Sequence, residues 1–307
     1  MKATILLFHR VHPVRDKLWD PMDPVLFEKI MRFLSKRFEV LPLDEICLSK
    51  PVTKKPQLAI TFDDGYHDYI DYSLPILRKH KFHSTMFVVT DCVQNNMPTW
   101  TYVMDFYFSN TAKLEIEPFD YGEGFRDFNI YKWKSKDAQI EYCRAFKPKL
   151  KQKDNAERSR VLQHFINNFN DVEIPRNLIM TWDELRSLDK GMTTIGSHSV
   201  SHPPLATIAD PAELDREMKV SGEIIQKELG TFPQTISYPV GSYDQRVKDA
   251  AKNAGYKIGL VLNQIAYDPQ KQDLFEVPRI ELYNDSFLRN KLKIYGIESS
   301  IKSLLGR

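Results

Sequence analysis

The amino-acid sequence predicts an α/β protein in which helices cover a parallel sheet or a (β/α) barrel. Short apolar runs alternate with segments of helical periodicity, which gives about seven or eight βα-like units. Polar clusters follow directly after several of the predicted strands, where both architectures place their active sites. A chain of 307 residues is long enough for one large α/β domain or two small ones.

The strands are predicted from short apolar runs bounded by turn residues, because buried parallel strands read as continuous hydrophobic segments. Residues 58–62 are the clearest case, since Ile60, Thr61 and Phe62 all favour β-structure. The predicted strands are residues 3–8, 38–41, 58–62, 84–90, 192–195, 235–238, 256–262 and 275–280.

Several helices carry clear start signals. Asp23 and Asp210 each precede a proline, which pairs a capping side chain with a proline at the first helical position. Thr181 followed by Glu184 is a capping box, and we expect its helix to end near residues 190–191. Pro75 lies inside the helix predicted over residues 68–80 and should kink or split it.

Residues 93–180 interrupt the alternation of strands and helices. A structureless loop of this length would be rare, and Leu162, Phe165 and Phe169 recur at helical spacing. We therefore expect a mostly helical subdomain inserted into a single domain of residues 1–307. Residues 132–160 hold ten Lys or Arg against four Asp or Glu. This excess is interpreted as a solvated helix face, with a docking surface for an anionic polymer or lipid headgroup as the alternative.

Composition restricts the possible partners and compartments. The formal net charge is +2, which favours neither nucleic acid nor another acidic partner, and we expect no nucleic-acid partner. Three widely spaced cysteines give no disulfide framework and fit a reducing compartment. The apolar run of residues 3–8 is too short for a signal peptide, and no segment approaches a membrane span. We expect a cytoplasmic protein, with a peripheral position at the inner membrane face as the alternative. The oligomeric state stays open.

Two polar motifs follow predicted strands. Asp63-Asp64-Gly65 ends the strand at 58–62, and adjacent strand residues point to opposite sides, so the two carboxylates should have different roles. His198 and His202 follow the strand at 192–195, and their imidazoles converge if the segment forms one helical turn. Two histidines and one carboxylate form a catalytic type of zinc site, which leaves the second carboxylate as a general base.

These motifs resemble a known family. Thr61-Phe62-Asp63-Asp64-Gly65, followed by His198-Ser199-x-x-His202, is similar to the polysaccharide deacetylases of carbohydrate esterase family 4, the NodB homology domain. The resemblance covers most of residues 1–95 and 180–280. It implies a distorted (β/α)7 barrel of the TIM type.

The resemblance also implies roles for individual residues. Asp64, His198 and His202 would bind a divalent metal, zinc in the first place and cobalt or nickel as alternatives. Asp63 would be the base that activates water. The implied reaction is hydrolysis of N-acetyl groups on N-acetylhexosamine in a cell-envelope glycan or a glycan precursor.

The third motif departs from the family pattern. Many members have Arg-x-Pro-Tyr, whereas Ser237 here precedes the substrate-binding candidates Tyr238, Pro239, Val240 and Gly241. A backbone N–H near Val240 could still stabilise an oxyanion, because it needs no particular side chain. The missing arginine has one candidate replacement at the end of the last predicted strand. That candidate is Arg279, which would orient the base Asp63, with a structural ion pair as the alternative.

The general acid is also displaced, because the usual Leu-x-His near the carboxyl terminus is missing. Leu7-Phe8-His9-Arg10-Val11 resembles the start of the circularly permuted poly-N-acetylglucosamine deacetylase branch, where the acid histidine lies on the first strand. By this match His9 protonates the departing amine, a task that suits an imidazole. A structural histidine at a strand end is the alternative.

Several assignments stay open at this level. The enzyme could instead remove an acyl group from an O-acetyl ester or a small amide, and a non-catalytic carbohydrate-binding relative is the third possibility. Trp100 and Trp182 could stack on sugar rings or pack in the core. Asp68 and Asp244 could bind hydroxyl groups or cap helices, and we expect capping.

Overall fold

A computed structural model describes residues 2–49 and 51–297. Its strands form one sheet in which every pairing is parallel, with the order β8-β7-β6-β5-β4-β3-β1-β9 and β2 also beside β3. The strands are β1 (Ala3–Phe8), β2 (Glu39–Val40), β3 (Gln57–Phe62), β4 (Ser84–Val88), β5 (Thr193–Ser197), β6 (Thr235–Ser237), β7 (Ile258–Val261), β8 (Val277–Pro278) and β9 (Ile280–Glu281).

The segment 277–281 brings the two ends of the sheet together. Its first part, β8, pairs with β7, while its last part, β9, pairs with β1. Arg279 lies between them, and its backbone N–H donates to the Val261 carbonyl at 3.1 Å. The sheet is thereby nearly closed, which confirms the predicted distorted (β/α) barrel.

Ten α-helices lie among the described residues, and their start signals act as predicted. Asp23 accepts hydrogen bonds from Val25 N and Leu26 N, and Thr181 forms the capping box with Glu184. The helices are α1 (Pro24–Arg37), α2 (Leu74–His80), α3 (Thr90–Asn95), α4 (Trp100–Asn110), α5 (Lys136–Leu150), α6 (Asn155–Asn168), α7 (Trp182–Ser187), α8 (Pro211–Leu229), α9 (Gln245–Ala254) and α10 (Phe287–Ile294).

One helix is split as expected, and another ends earlier than expected. Pro75 sits at the start of α2, after a separate wide turn at Tyr69–Ser73, so the helix over residues 68–80 is split. The helix that begins after Thr181 ends at Ser187 rather than near residue 190, because Leu188 is already extended.

Residues 93–180 contain α4, α5 and α6, with a largely irregular stretch at 111–135. The three helices enclose a hydrophobic cluster that includes Phe108, Phe146 and Phe165, separate from the clusters around the barrel. This insertion touches loops that follow two barrel strands. Arg144 donates to the Lys17 carbonyl after β1, and Trp100 Nε1 donates to the His202 carbonyl after β5 (3.0 Å). The insertion therefore lies against the carboxyl end of the barrel.

The opposite end of the barrel holds a cavity of about 670 Å³, lined by α7, α8 and the first residues of β5 and β6. It shares no residue with the polar motifs at the carboxyl ends of the strands. Among the described helices, none combines the length and the apolar character that a membrane span requires.

Candidate active site

The carboxyl ends of five strand segments bring the predicted site residues together. The carboxylates follow β3, the histidine pair follows β5, and single residues come from β1, β6 and the segment 277–281. All but one of these side chains are buried, His9 being partly exposed. The residues concerned are His9, Asp63, Asp64, His198, His202, Ser237 and Arg279.

A tight turn separates the two carboxylates. Asp64 and Gly65 both have left-handed backbone angles, with φ of 74° and 79°. Aspartate tolerates this region better than most residues, and glycine adopts it freely. A Cβ on Gly65 would lie 3.3 Å from Val88 Cγ1, so a side chain there would be both strained and crowded. The turn lets Asp63 face Arg279 while Asp64 faces the histidines.

The two histidines converge through an irregular loop, so the helical turn considered for them is wrong. Ser199 and His202 have φ of 66° and 61°, which no right-handed helix allows. Glu217 of α8 holds the loop, since its carboxylate accepts hydrogen bonds from Val200 N and Ser201 N, both at 2.9 Å. A buried carboxylate on a neighbouring helix thus fixes the loop geometry.

Asp64, His198 and His202 form a buried cluster whose ligand atoms all lie within 4.8 Å of one another. Asp64 Oδ1 is 3.5 Å from His198 Nε2 and 3.4 Å from His202 Nε2. Zinc bonds of about 2.0–2.1 Å in a tetrahedron would separate ligand atoms by about 3.3–3.4 Å. Asp64 Oδ1 is also buried without a hydrogen-bond partner among the described residues. The cluster therefore fits a divalent metal.

The surroundings set the protonation of these ligands. His198 Nδ1 lies 2.8 Å from the Ser237 carbonyl, which fixes the tautomer and turns Nε2 toward Asp64. Burial lowers the pKa of His202, and His198 lowers it further, so the neutral imidazole that metals require is favoured. Burial raises the pKa of Asp64, which a bound cation would oppose.

Asp63 makes a two-pronged ion pair with Arg279. Arg279 Nη1 donates to Oδ1 at 2.7 Å and Nη2 donates to Oδ2 at 2.9 Å, and Arg279 is fully buried. Ser237 Oγ donates to Asp63 Oδ2 at 3.1 Å and accepts from Arg279 Nη2 at 2.7 Å. Burial by itself would raise the pKa of Asp63, but Arg279 and His198 lower it below its usual range. Asp63 is therefore a carboxylate at neutral pH.

His9 lies at the end of β1, on the same side as the two carboxylates, and a positive charge on its ring would lower the pKa of both. His9 Nδ1 is 3.3 Å from Glu281 Oε1 on β9, and its ring meets the Trp19 ring edge-on at 5.1 Å between centroids. Nδ1 thus faces a carboxylate, which leaves Nε2 available to a ligand.

Comparison with known proteins agrees with this geometry. Residues 50–117 and 142–259 match the family model described as polysaccharide deacetylase, which is more than half of the chain. The chain belongs to the polysaccharide deacetylase family. It is therefore a carbohydrate deacetylase, a hydrolase, as the sequence motifs predicted. No curated protein matches the sequence significantly.

Solved structures share the fold of this deacetylase. Streptococcus pyogenes deacetylase PplD in complex with acetate has a TM-score of 0.63 at 18% identity, over 96% of this chain and 98% of that one. IcaB from Ammonifex degensii has a TM-score of 0.61 at 13% identity, over 95% and 97% of the two chains. The BpsB deacetylase domain from Bordetella bronchiseptica has a TM-score of 0.56 at 19% identity, over 92% and 96%.

The third motif of this deacetylase contributes backbone rather than a tyrosine side chain. The side chain of Tyr238 is fully buried beside α9 and donates to the Phe275 carbonyl at 3.2 Å, so its ring does not line the site, and its contact with substrate stays a prediction. Pro239 is buried as well, and Gly241 has left-handed angles beside Leu262. These three residues shape the turn rather than reach into the site.

Val240 is the exception within this motif. Its φ of 50° is rare for a β-branched residue, and strained backbone of this kind is concentrated at functional sites. Its backbone N–H has no acceptor among the described residues. That free donor is what an oxyanion-binding group requires.

Sequence reasoning did not identify several residues of the site, among them Ser237, Glu281 and Trp19. One signal was available, because Glu281 is two positions after Arg279 on an extended segment, and such residues share a face. Asp68 was expected to cap a helix, but it instead accepts a hydrogen bond from Arg10 Nε at 2.7 Å.

The remaining expectations near the site concern two tryptophans and one cap. Trp182 packs in the hydrophobic core, which was the alternative to stacking on a sugar ring. Trp100 is partly buried against the insertion, with its ring N–H bonded to the metal-ligand loop. Asp244 caps α9 through Val247 N, as expected.

Proposed function

We propose that this deacetylase is a metal-dependent hydrolase that removes N-acetyl groups from N-acetylhexosamine units of a glycan or a glycan precursor. The observation that carries the proposal is one arrangement of residues. Asp63 is held as a carboxylate by Arg279, directly beside the buried cluster of Asp64, His198 and His202.

Asp64, His198 and His202 would hold the ion. Two imidazoles and one carboxylate suit zinc, and cobalt or nickel would also fit this donor set. When bound, the ion would lower the pKa of a water molecule and polarise the amide carbonyl. Trp100 supports this site, since its hydrogen bond to the His202 carbonyl braces the loop that carries two of the three ligands.

Asp63 would take the proton from the attacking water. Its two oxygens are each bonded to Arg279, and Oδ1 keeps a lone pair for a further donor, whereas Oδ2 also accepts from Ser237. Arg279 lowers the basicity of Asp63, so its benefit lies in orientation and in keeping the group ionised. Ser237 adds a third contact that restricts rotation of the carboxylate.

His9 would give its proton to the nitrogen as the C–N bond breaks, so that the amine leaves as a neutral group and acetate is the second product. The approach of Glu281 to Nδ1 supports this role, because it fixes the ring and leaves Nε2 toward the site. The free N–H of Val240 would bind the developing oxyanion. For the location we propose the cytoplasm, with a peripheral position at the inner membrane face as the alternative.

The test is hydrolysis by metal-loaded protein of two matched oligosaccharides, one N-acetylated and one O-acetylated. We expect acetate and a free amine from the N-acetylated oligomer. Asp63→Asn should abolish this release, whereas Asp183→Asn, at an aspartate 90% exposed on α7, should leave it unchanged. Hydrolysis of the ester alone would favour the esterase alternative. Binding of both oligomers without hydrolysis would favour a carbohydrate-binding relative.

A further inference from the structure

Lys151 lies where the insertion meets the active site. It is the residue that follows α5, and its side chain is half-buried. Its ammonium group makes no hydrogen bond or ion pair with any residue that the structure describes. A partly desolvated charge without a partner is unfavourable, and such groups commonly acquire a partner from a ligand.

The segment around Lys151 is fixed against the metal-ligand loop. Arg158 donates to the Lys153 carbonyl, and its guanidinium lies over the Trp100 ring at 5.6 Å from the centroid. The same Trp100 ring donates to the His202 carbonyl at 3.0 Å. The turn between α5 and α6 is therefore connected to the site through two contacts and is not a free surface loop.

Lys151 interacts electrostatically with groups of the active site. Burial lowers the pKa of Lys151, Lys147 lowers it further, and the carboxylates of Asp105, Glu281 and Asp64 oppose this. Glu281 and Asp64 belong to the barrel site, so the ammonium lies close enough to sense both. In turn, Lys151 contributes to the lowered pKa of His202, after burial and His198.

Four other basic groups around the mouth of the site have carboxylate partners, whereas Arg158 donates to the Lys153 carbonyl and to the Asn155 side chain. Lys147 pairs with Asp105 of α4, Nζ to Oδ1 being 2.6 Å. The remaining pairs are Arg10 with Asp68, Arg279 with Asp63, and His9 with Glu281. Lys151 differs from these groups, because its ammonium contacts no opposite charge and makes no hydrogen bond within the described chain.

We propose that Lys151 is a substrate-binding residue that contacts an anionic group, a phosphate or a uronate carboxylate, on the glycan beside the reacting N-acetyl group. This inference rests on the proposed function and adds a substrate class to it. It also gives part of the basic insertion a role, because the surplus of Lys and Arg at 132–160 includes this residue. An ammonium forms strong charge-assisted hydrogen bonds with either anion.

The experiment compares steady-state hydrolysis of three oligomers of equal length. One is neutral oligo-N-acetylglucosamine, one alternates N-acetylglucosamine with glucuronate, and one joins N-acetylglucosamine units through phosphodiesters. The variants are Lys151→Met, Lys151→Arg and the control Lys149→Met, which removes an exposed lysine from the last turn of α5. Metal content is measured for each protein.

We expect the unmodified enzyme to prefer one anionic oligomer, and the preferred one identifies the anion. Lys151→Met should raise KM for that oligomer about 10–100-fold, the range of a hydrogen bond to a charged group, and leave the neutral oligomer within about twofold. Lys151→Arg should keep the preference, and Lys149→Met should behave like the unmodified enzyme.

Two results would overturn the inference while the proposed function stands. One is equal hydrolysis of neutral and anionic oligomers by the unmodified enzyme. The other is a fall in kcat/KM of Lys151→Met that is equal for all three oligomers, or a fall in kcat with KM unchanged. Either would indicate a role that does not involve the substrate anion. If the metal-loaded enzyme hydrolyses none of the oligomers, the proposed function itself is wrong.

Discussion

Replacing Arg279 by methionine tests whether the base Asp63 depends on its ion pair with Arg279. The change removes the bonds of 2.7 and 2.9 Å to Asp63 and leaves a buried carboxylate without its cation. Methionine keeps part of the side-chain volume. The ligand cluster should persist, because Arg279 makes no hydrogen bond to Asp64, His198 or His202. Metal content is therefore expected to be unchanged.

The size of the effect follows from burial. Arg279 is fully buried and Asp63 is 2% exposed, so solvent screens their interaction very little. Removing one partner of a buried pair costs about 3–5 kcal/mol. We expect this loss in the free energy of unfolding at pH 8, together with a fall in kcat of about 100-fold from misorientation of the base.

The pH dependence has a definite sign. In the unmodified enzyme the pKa of Asp63 is lowered, so the pair stabilises the fold above the unfolded pKa of about 3.9 and this contribution is lost as pH falls through the lower folded value. Without Arg279, burial raises the pKa of Asp63. The variant should therefore be less destabilised at pH 5 than at pH 8, and the acidic limb of its rate profile should move to higher pH.

The assays are chemical denaturation at both pH values, metal analysis and a pH–rate profile. Arg37→Met, at an exposed arginine in α1, is the matched control and should leave all three unchanged. An unchanged rate and pH profile in Arg279→Met would show that Asp63 does not depend on Arg279. Loss of metal would show that the two halves of the site are not separable.

Two further changes test other parts of the site. His9→Gln should give a folded, metal-loaded protein whose kcat is lower by about 10²–10⁴-fold, because the amine would leave unprotonated; kcat within a few-fold of normal would refute the acid role. Glu217→Gln should weaken metal binding by about 10–100-fold, because Glu217 anchors the backbone of the loop that carries His198 and His202. Titration with zinc should show the weaker binding, and kcat should be restored at saturating zinc. An unaltered zinc affinity would contradict the anchoring role of Glu217.

The four motif residues could be identified from the sequence because each pair is local. Asp63 with Asp64, and His198 with His202, lie directly after apolar runs that read as buried strands. In a parallel sheet all carboxyl ends meet at one edge, so two such motifs must approach each other. The meeting of these residues followed from the pattern, which left a barrel and an open parallel sheet as alternatives, and the family resemblance selected the barrel.

The partner of Asp63 depends on how the barrel closes. Arg279 is 216 residues from Asp63 in sequence, and it reaches the base because β8 and β9 join the two ends of the sheet around it. Its place at a strand end made it a candidate but could not show the paired hydrogen bonds. Ser237 and Glu281 were missed for the same reason, since their contacts cross the barrel.

Loop geometry was the weakest part of the sequence-based prediction. The spacing of His198 and His202 suggested a helical turn, yet Glu217 of α8 and two left-handed residues hold an irregular loop. Tyr238 was expected at the substrate because of its motif, but the side chain turns outward against α9. In both cases the outcome depends on packing between elements that are distant in sequence.

The measurement that tests the central claim most directly is metal stoichiometry coupled to acetate release. Protein stripped with a chelator should release no acetate from oligo-N-acetylglucosamine, and activity should return in proportion to added zinc up to about one ion per chain, as expected for a single cluster of two histidines and one carboxylate. His202→Ala should neither bind this ion nor regain activity. Full activity in stripped protein, or tight zinc binding by His202→Ala, would contradict the metal-dependent mechanism.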